Sequence, residues 1–209
     1  LETDVTLNPG YNNSTDDQQN PFYAVYGYLS SKAESTNRVF ISASRHAADV
    51  LNGTTTGVFD PRGGRLFTTT GGLVVGIQQG ELAAAAPDNN SKIGPAFIPY
   101  DGTNAMTIAA TVAAGSAMPS YVMTASEIKF LLSEAALKNK KKMGSYDPQT
   151  LFNEGVDASF TRMGAGSSAG YLAAIDAVGG FGWSASADKV EAIMTQKWLA
   201  TIHFNAMES

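Results

Sequence analysis

Three apolar-periodic segments follow one another in residues 119–209, and nothing else in the chain constrains its fold as strongly. They read PSYVMTASEIKFLLSEAALKN, DPQTLFNEGVDASFTRMG and SADKVEAIMTQKWLATIHFNAMES. Apolar residues recur at three- and four-residue steps, the spacing that lines one face of a helix. A helix with one apolar face must bury it, so this half of the chain reads as helix packed on helix.

Boundary signals place the three helices. The first is expected from Thr124 to Asn139. Thr124 and Glu127 form a capping box, in which the threonine oxygen accepts a first-turn N–H and the glutamate reaches back. Its buried stripe is read as Ile128, Leu131, Leu132, Ala135 and Ala136. The second is expected from Pro148 to Met163, with Pro at the first helical position and Gly164 just past the end. Its face is Leu151, Val156, Phe160 and Met163. The third is expected from Ala187 to about Met207, capped by Ser186, with Val190, Ile193, Met194, Trp198 and Ile202 as its stripe. A link of about eight residues between the first two suits an antiparallel pair. A Gly/Ser/Ala-rich loop carrying Tyr171, Phe181 and Trp183 separates the second from the third.

The first 118 residues read differently. Residues 1–36 are rich in Asn, Asp, Gly and Pro, which make local turns in preference to ladders. The aromatic run from Phe22 to Leu29 interrupts them, and serves either as core filling around a loop or as an aromatic surface for a ligand. One helix is expected from Thr36 to Leu51, with Val39, Phe40, Ala43, Ala47, Val50 and Leu51 on its stripe and Asn52-Gly53 as its stop. His46 reads as a residue at the edge of that stripe. Residues 54–118 read as irregular with short strands: Asp60-Pro61-Arg62 opens a turn, and the β-branched run Leu73–Ile77 is a candidate strand. The organisation expected is a loop-rich part, 1–118, and a helical hairpin part, 119–209, within one domain.

Composition narrows the function. Charged residues are 16 % of the chain, against an average near ~25 %, and polar uncharged residues fill the gap. Net charge is −5 and the only basic run, Lys138 to Lys142, sits at a helix C-terminus where cations suit the dipole. That leaves no basic patch for nucleic acid. There is no cysteine, so disulfides, thiol nucleophiles and Cys-type zinc sites are excluded. No run reaches ~18 apolar residues, so no helix spans a membrane. The chain opens in a polar stretch at Leu1 and ends at Ser209 directly after a helical pattern, so it is read as an interior piece of a longer protein.

No catalytic constellation assembles. No serine lies in Gly-x-Ser-x-Gly. Carboxylates occur singly apart from Asp16-Asp17, which lacks the spaced pattern of a calcium loop and reads as a solvated turn. The glycines around Gly63-Gly64 and Gly71-Gly72 lack the Lys-Ser/Thr of a phosphate loop. The expectation is a protein that is not an enzyme and holds no cofactor or metal.

The C-terminal segments resemble the SusD/RagB superfamily, in its SusD-like branch. The resemblance rests on MTASEIKFLLSEAAL at Met123–Leu137, LFNEGVDASFTRMG at Leu151–Gly164 and KVEAIMTQKWLATIHFN at Lys189–Asn205. It extends more loosely through NPFYAVY at Asn20–Tyr26, SRHAADVLNG at Ser44–Gly53 and DPRGGRLF at Asp60–Phe67. The resemblance implies a mainly α fold of tetratricopeptide-like helix pairs with a loop-rich subdomain containing short strands. It implies an outer-leaflet lipoprotein of the outer membrane of Bacteroidota, facing the exterior. Such a protein captures glycans, or sometimes peptides, and passes them to a SusC-like TonB-dependent transporter. Membrane contact would run only through a lipid anchor absent from this chain. The alternatives are a scaffold subunit of an outer-membrane complex that holds no glycan, and a glycoside hydrolase. The family's aromatic platforms lie on variable loops, so no binding residue carries over by motif. Sugar recognition needs aromatic faces for stacking and amides or carboxylates for hydroxyls, which makes Tyr11, Tyr23, Tyr26 and Trp183 the candidate ligand residues.

Overall fold

The computed structural model describes residues 2–80, 89–99 and 107–204. The chain divides into two compact units, one of Thr6–Ser120 and one of Leu1–Val5 with Tyr121–Ser209. The described residues form ten α-helices and a two-stranded sheet. In order these are β1 (Val5–Leu7), a 3-10 turn at Asp16–Gln18, α1 (Pro21–Tyr26), α2 (Thr36–Phe40), α3 (Arg45–Leu51), α4 (Gly63–Leu66) and α5 (Ile108–Ser116). Then come β2 (Ser120–Met123), α6 (Ala125–Lys138), α7 (Lys140–Met143), α8 (Pro148–Met163), α9 (Ala169–Ile175) and α10 (Lys189–Thr201). The architecture is mainly α, as the sequence indicates.

The unit containing the C-terminal half is built on the α6–α8 pair, with α10 packed against both. Thr124 accepts from the Glu127 N–H at 3.2 Å and starts α6. Asp147 accepts from both the N–H and the hydroxyl of Thr150 at 2.8 Å and starts α8 with Pro148. Gly164 ends α8 in the left-handed region, φ 66°, where a β-carbon would be strained. Between the two helices the Phe130 and Phe152 rings meet edge to face, 6.1 Å apart. Both are at most 1 % exposed, so each contributes roughly 2–3 kcal/mol of transfer free energy. Behind them, Phe160 lies 5.3 Å from Tyr171 of α9, and the Gln196 amide on α10 donates to the Tyr171 hydroxyl and the Phe181 carbonyl. This polar contact inside the core fixes how the α9–α10 loop lies on α10.

Helix limits and faces differ from expectation in several places. The core face of α6 runs through Ser126, Phe130, Ser133 and Ala136, while Leu131 is 41 % exposed. The small serines admit close approach, and Ser133 Oγ donates to the Pro148 carbonyl at 2.7 Å. Helix α10 starts at Lys189 under an Asp188 cap, not at Ala187 under Ser186. The Ser186 hydroxyl is engaged elsewhere, accepting from Gly180 N–H and donating to the Gly182 carbonyl. Helix α10 ends at Thr201, where Ile202 turns to extended backbone. The expected continuation through 205–207 lies outside the described residues. On its face Met194 is 47 % exposed, and Gln196, Lys197 and Leu199 are buried. Helix α9 forms within the segment read as loop.

In the other unit, Asn20 caps α1 by accepting from Tyr23 N–H at 3.0 Å, and its amide donates to the Met118 carbonyl. Tyr23 then packs on α5. A β-carbon at Gly115 would sit 1.9 Å from the Tyr23 ring, so only glycine leaves room there. The single helix expected over 36–51 is two, α2 and α3. Ile41 is extended, and Ser44 recaps the chain by accepting from Ala47 N–H at 3.2 Å. The break turns Val39 and Phe40 outward, to 50 % and 77 % exposure, while Ala47, Val50 and Leu51 stay buried.

No strand forms at Leu73–Ile77. Its backbone groups instead bond to irregular partners: Ile77 N–H to Ala43 O at 2.9 Å, Arg45 N–H to Ile77 O at 2.8 Å and Ser91 N–H to Val75 O at 2.8 Å. Gly76 permits this, since a β-carbon there would lie 2.4 Å from Ser44 O. The segment 108–116, expected to be irregular, is the helix α5. The Asp60-Pro61-Arg62 turn leads into α4 and buries an ion pair, with Arg62 0 % and Asp60 1 % exposed. Asp60 accepts from Arg62 Nη2 at 2.7 Å, from Nε at 3.0 Å and from the main-chain N–H at 3.0 Å.

Candidate functional site

Each of the four candidate residues sits in its own setting. Tyr11 is half-buried, its hydroxyl 3.1 Å from Ser120 Oγ. Tyr23 is 1 % exposed. Burial pushes its phenol far above the ordinary value, and it presents no ring face to solvent. Tyr26 is half-buried and tilts against Phe22 at 5.0 Å, which in turn tilts against Phe97 at 5.8 Å. With Val25 exposed on the same short helix, α1 shows solvent an aromatic-aliphatic strip. The spacing of Phe22, Val25 and Tyr26, three then one, puts all three on one side of a helix.

Trp183 belongs to the other unit. Its ring tilts against Phe152 at 5.5 Å, and Lys189 Nζ lies 5.8 Å from the indole centroid. The loop beneath it is held by hydrogen bonds. Lys189 Nζ donates to the carbonyls of Trp183, Ser184 and Ser186. Asp176 accepts from the Ser184 N–H at 2.9 Å, and the Ser184 hydroxyl and N–H keep its carboxyl below the usual range.

The grooves among the described residues include the following. One, of about 460 Å³, is lined by Ser44, Arg45, His46, Asp49, Gln78 and Gln79. Amides, a carboxylate, a guanidinium and an imidazole line it. The other two lie on the α6–α8 pair. A groove of about 480 Å³ is lined by residues including Asp4, Lys129, Glu154, Asp157 and Arg162. A groove of about 330 Å³ is lined by Lys129, Ser145, Tyr146, Asp147, Thr150, Leu151 and Glu154. The ion pair from Lys129 Nζ to Glu154 Oε2, 2.6 Å long, borders both.

Tyr146 is the residue that sequence reasoning missed. It is 55 % exposed. The signal was available: an aromatic between Gly144-Ser145 and Asp147-Pro148, the kind of loop setting that singles out Trp183. Beside it, the N–H and then the hydroxyl of Thr150 hold the Asp147 carboxyl below its usual range, with Lys140 adding to the effect. Among the described residues no three His, Cys, Asp or Glu side chains converge on a possible metal position, and no helix is long and apolar enough to cross a membrane.

The architecture is a mainly α scaffold with a loop-rich unit. The SusD-like family model, described as SusD and RagB outer membrane lipoprotein, matches residues 13–182, and the chain belongs to this family. Among solved structures, a SusD homologue from Bacteroides vulgatus is similar over 94 % of this chain and 38 % of its own, with a TM-score of 0.57 and 21 % identity. A SusD-like protein from Bacteroides thetaiotaomicron is similar over 73 % of this chain and 34 % of its own, with a TM-score of 0.48 and 25 % identity. The chain thus spans well under half the length of these structures. The first likeness is one of fold. No curated protein sequence matches the chain.

Proposed function

We propose that this chain is part of a surface-exposed binding protein. It captures glycans, or other nutrient oligomers, at the outer membrane and delivers them to a SusC-like TonB-dependent transporter. The observation that carries this reading is the family match over residues 13–182. Residues 1–118 and 119–209 act as parts of one SusD-like domain, on the outer leaflet and facing the exterior. Tyr11 and Tyr26 in one unit, and Trp183 in the other, each offer ring surface to a ligand. Tyr23, at 1 % exposure, supports the Tyr26 strip from within. The protein binds its ligand without catalysing a reaction.

The test is titration calorimetry of the full-length protein against oligosaccharide and peptide panels, with co-purification from outer membranes through a tag. Saturable binding and recovery of a large β-barrel partner are expected. Absence of binding to every panel member, or release of shorter sugars by the pure protein, would contradict the reading.

A further inference from the structure

We propose that the groove beside Tyr146, on the α6–α8 pair, is a saccharide subsite. It takes one ring of a neutral glycan stacked on the tyrosine face. This deepens the capture reading above and rests on it.

Four observations converge. First, the groove's volume of about 330 Å³ lies within the ~300–1,000 Å³ range of small-molecule sites. Second, the Tyr146 side chain is 55 % exposed and makes neither a ring contact nor a hydrogen bond with a described residue. A tyrosine ring has much apolar area to cover. A ring left standing at the lip of a groove offers that area to whatever enters. Third, the other walls carry the groups that hydroxyls need. Asp147 is an acceptor whose carboxylate persists to low pH, and the Lys129–Glu154 pair offers both donor and acceptor, at 22 % and 45 % side-chain exposure. Fourth, the groove wall carries one cation, Lys129, against two carboxylates, Asp147 and Glu154. Lys129 is already matched to Glu154, so an anionic sugar finds no surplus cation on the groove wall, whereas a neutral sugar loses nothing there. The wider groove beyond the same ion pair gives a second ring somewhere to lie.

The geometry assigns each residue a role. Tyr146 stacks, Asp147 accepts from ring hydroxyls, and the Lys129–Glu154 pair sets the distance between neighbouring rings by standing between the two grooves. Thr150 positions Asp147 through its N–H and hydroxyl.

The experiment is calorimetry of the full-length protein against maltohexaose, cellohexaose, xylohexaose, mannohexaose and polygalacturonate oligomers, with Tyr146→Ala, Tyr146→Phe and Glu154→Gln alongside. At least one neutral hexaose is expected to bind the parent protein. Tyr146→Ala should weaken it about five- to tenfold, Glu154→Gln should weaken it by a smaller factor, and Tyr146→Phe should keep it, since stacking uses the ring face. Both positions are at the surface, so thermal midpoints should match and a folding defect is separately visible. If a neutral hexaose binds and Tyr146→Ala binds it equally well, this subsite is refuted while glycan capture stands. If only polygalacturonate binds, the neutral assignment fails. If no sugar binds, both readings fall together.

Discussion

The buried pair at Asp60 and Arg62 permits a sharp test of how the loop-rich unit is held. The perturbation is Asp60→Asn, which keeps the shape and removes the charge. In the native protein Asp60 takes two side-chain bonds from Arg62, to Nη2 at 2.7 Å and Nε at 3.0 Å, and the Arg62 main-chain N–H at 3.0 Å. Charge-assisted bonds of this type net about 1.5–3 kcal/mol each. The substitution also takes the Asp60 charge away from a guanidinium that is 0 % exposed. Breaking one side of such a buried pair costs about 3–5 kcal/mol, most of it the unmatched charge. A domain is stable by only about 5–15 kcal/mol, so the loss is large. Urea unfolding followed by circular dichroism should show a lower midpoint with an unchanged slope. Adding Arg62→Met to Asp60→Asn should then recover much of the loss, because an apolar side chain needs no counter-charge. A single variant that loses under about 1 kcal/mol, or a double variant no better than the single, would refute the reasoning.

In α5, Gly115→Ala puts a methyl 1.9 Å from the Tyr23 ring. The ~1 kcal/mol helix preference for alanine is outweighed by overpacking of about 1–3 kcal/mol, so the thermal midpoint should fall. Gly170→Ala in α9 meets nothing within 4 Å and should raise it. Phe130→Ala should cost about 3–5 kcal/mol, whereas Phe40→Ser, at 77 % exposure, should change the unfolding free energy from urea titration by no more than about 0.5 kcal/mol. Asp16, Asp147 and Asp176 all have carboxyls held below the ordinary value, chiefly by Ser30, Thr150 and Ser184 respectively. Their folded pKa values lie below the unfolded value near ~3.9. The stability they add is therefore present above about pH 4 and lost as pH falls through the folded values. Urea midpoints measured from pH 5 down to pH 2.5 should decline, and Asp147→Asn should make the decline shallower.

What could be read from the sequence depended on whether local chemistry decided the outcome. Helix α8 was legible to the residue, because Asp147-Pro148 and Gly164 are signals that act within one turn. The start of α6 was legible for the same reason. Faces were harder to read. Apolar content placed Leu131 inside, yet the α6 core runs through Ser126 and Ser133, whose small size matters only once α8 lies alongside. The start of α10 was misplaced because the Ser186 hydroxyl bonds to Gly180 and Gly182, partners that only the folded loop brings near. The split between α2 and α3 reflects Ser44 as a second cap, a signal present in the sequence but outvoted by the apolar period. Of the candidate residues, Tyr26 at the end of α1 and Trp183 in the loop before α10 are both partly exposed. Burial of Tyr23 depends on Gly115, far along the chain, which no local pattern reveals. Tyr146 was hidden in a link valued only for its length.

The lysine that gathers three carbonyls under Trp183 has a consequence for timing. A segment fastened this way holds its shape before any visitor arrives, so encounter freezes no backbone there. On the proposed role of Trp183, association at the indole should therefore proceed at the pace of diffusion and orientation, and differences among visitors should appear in how long each one stays.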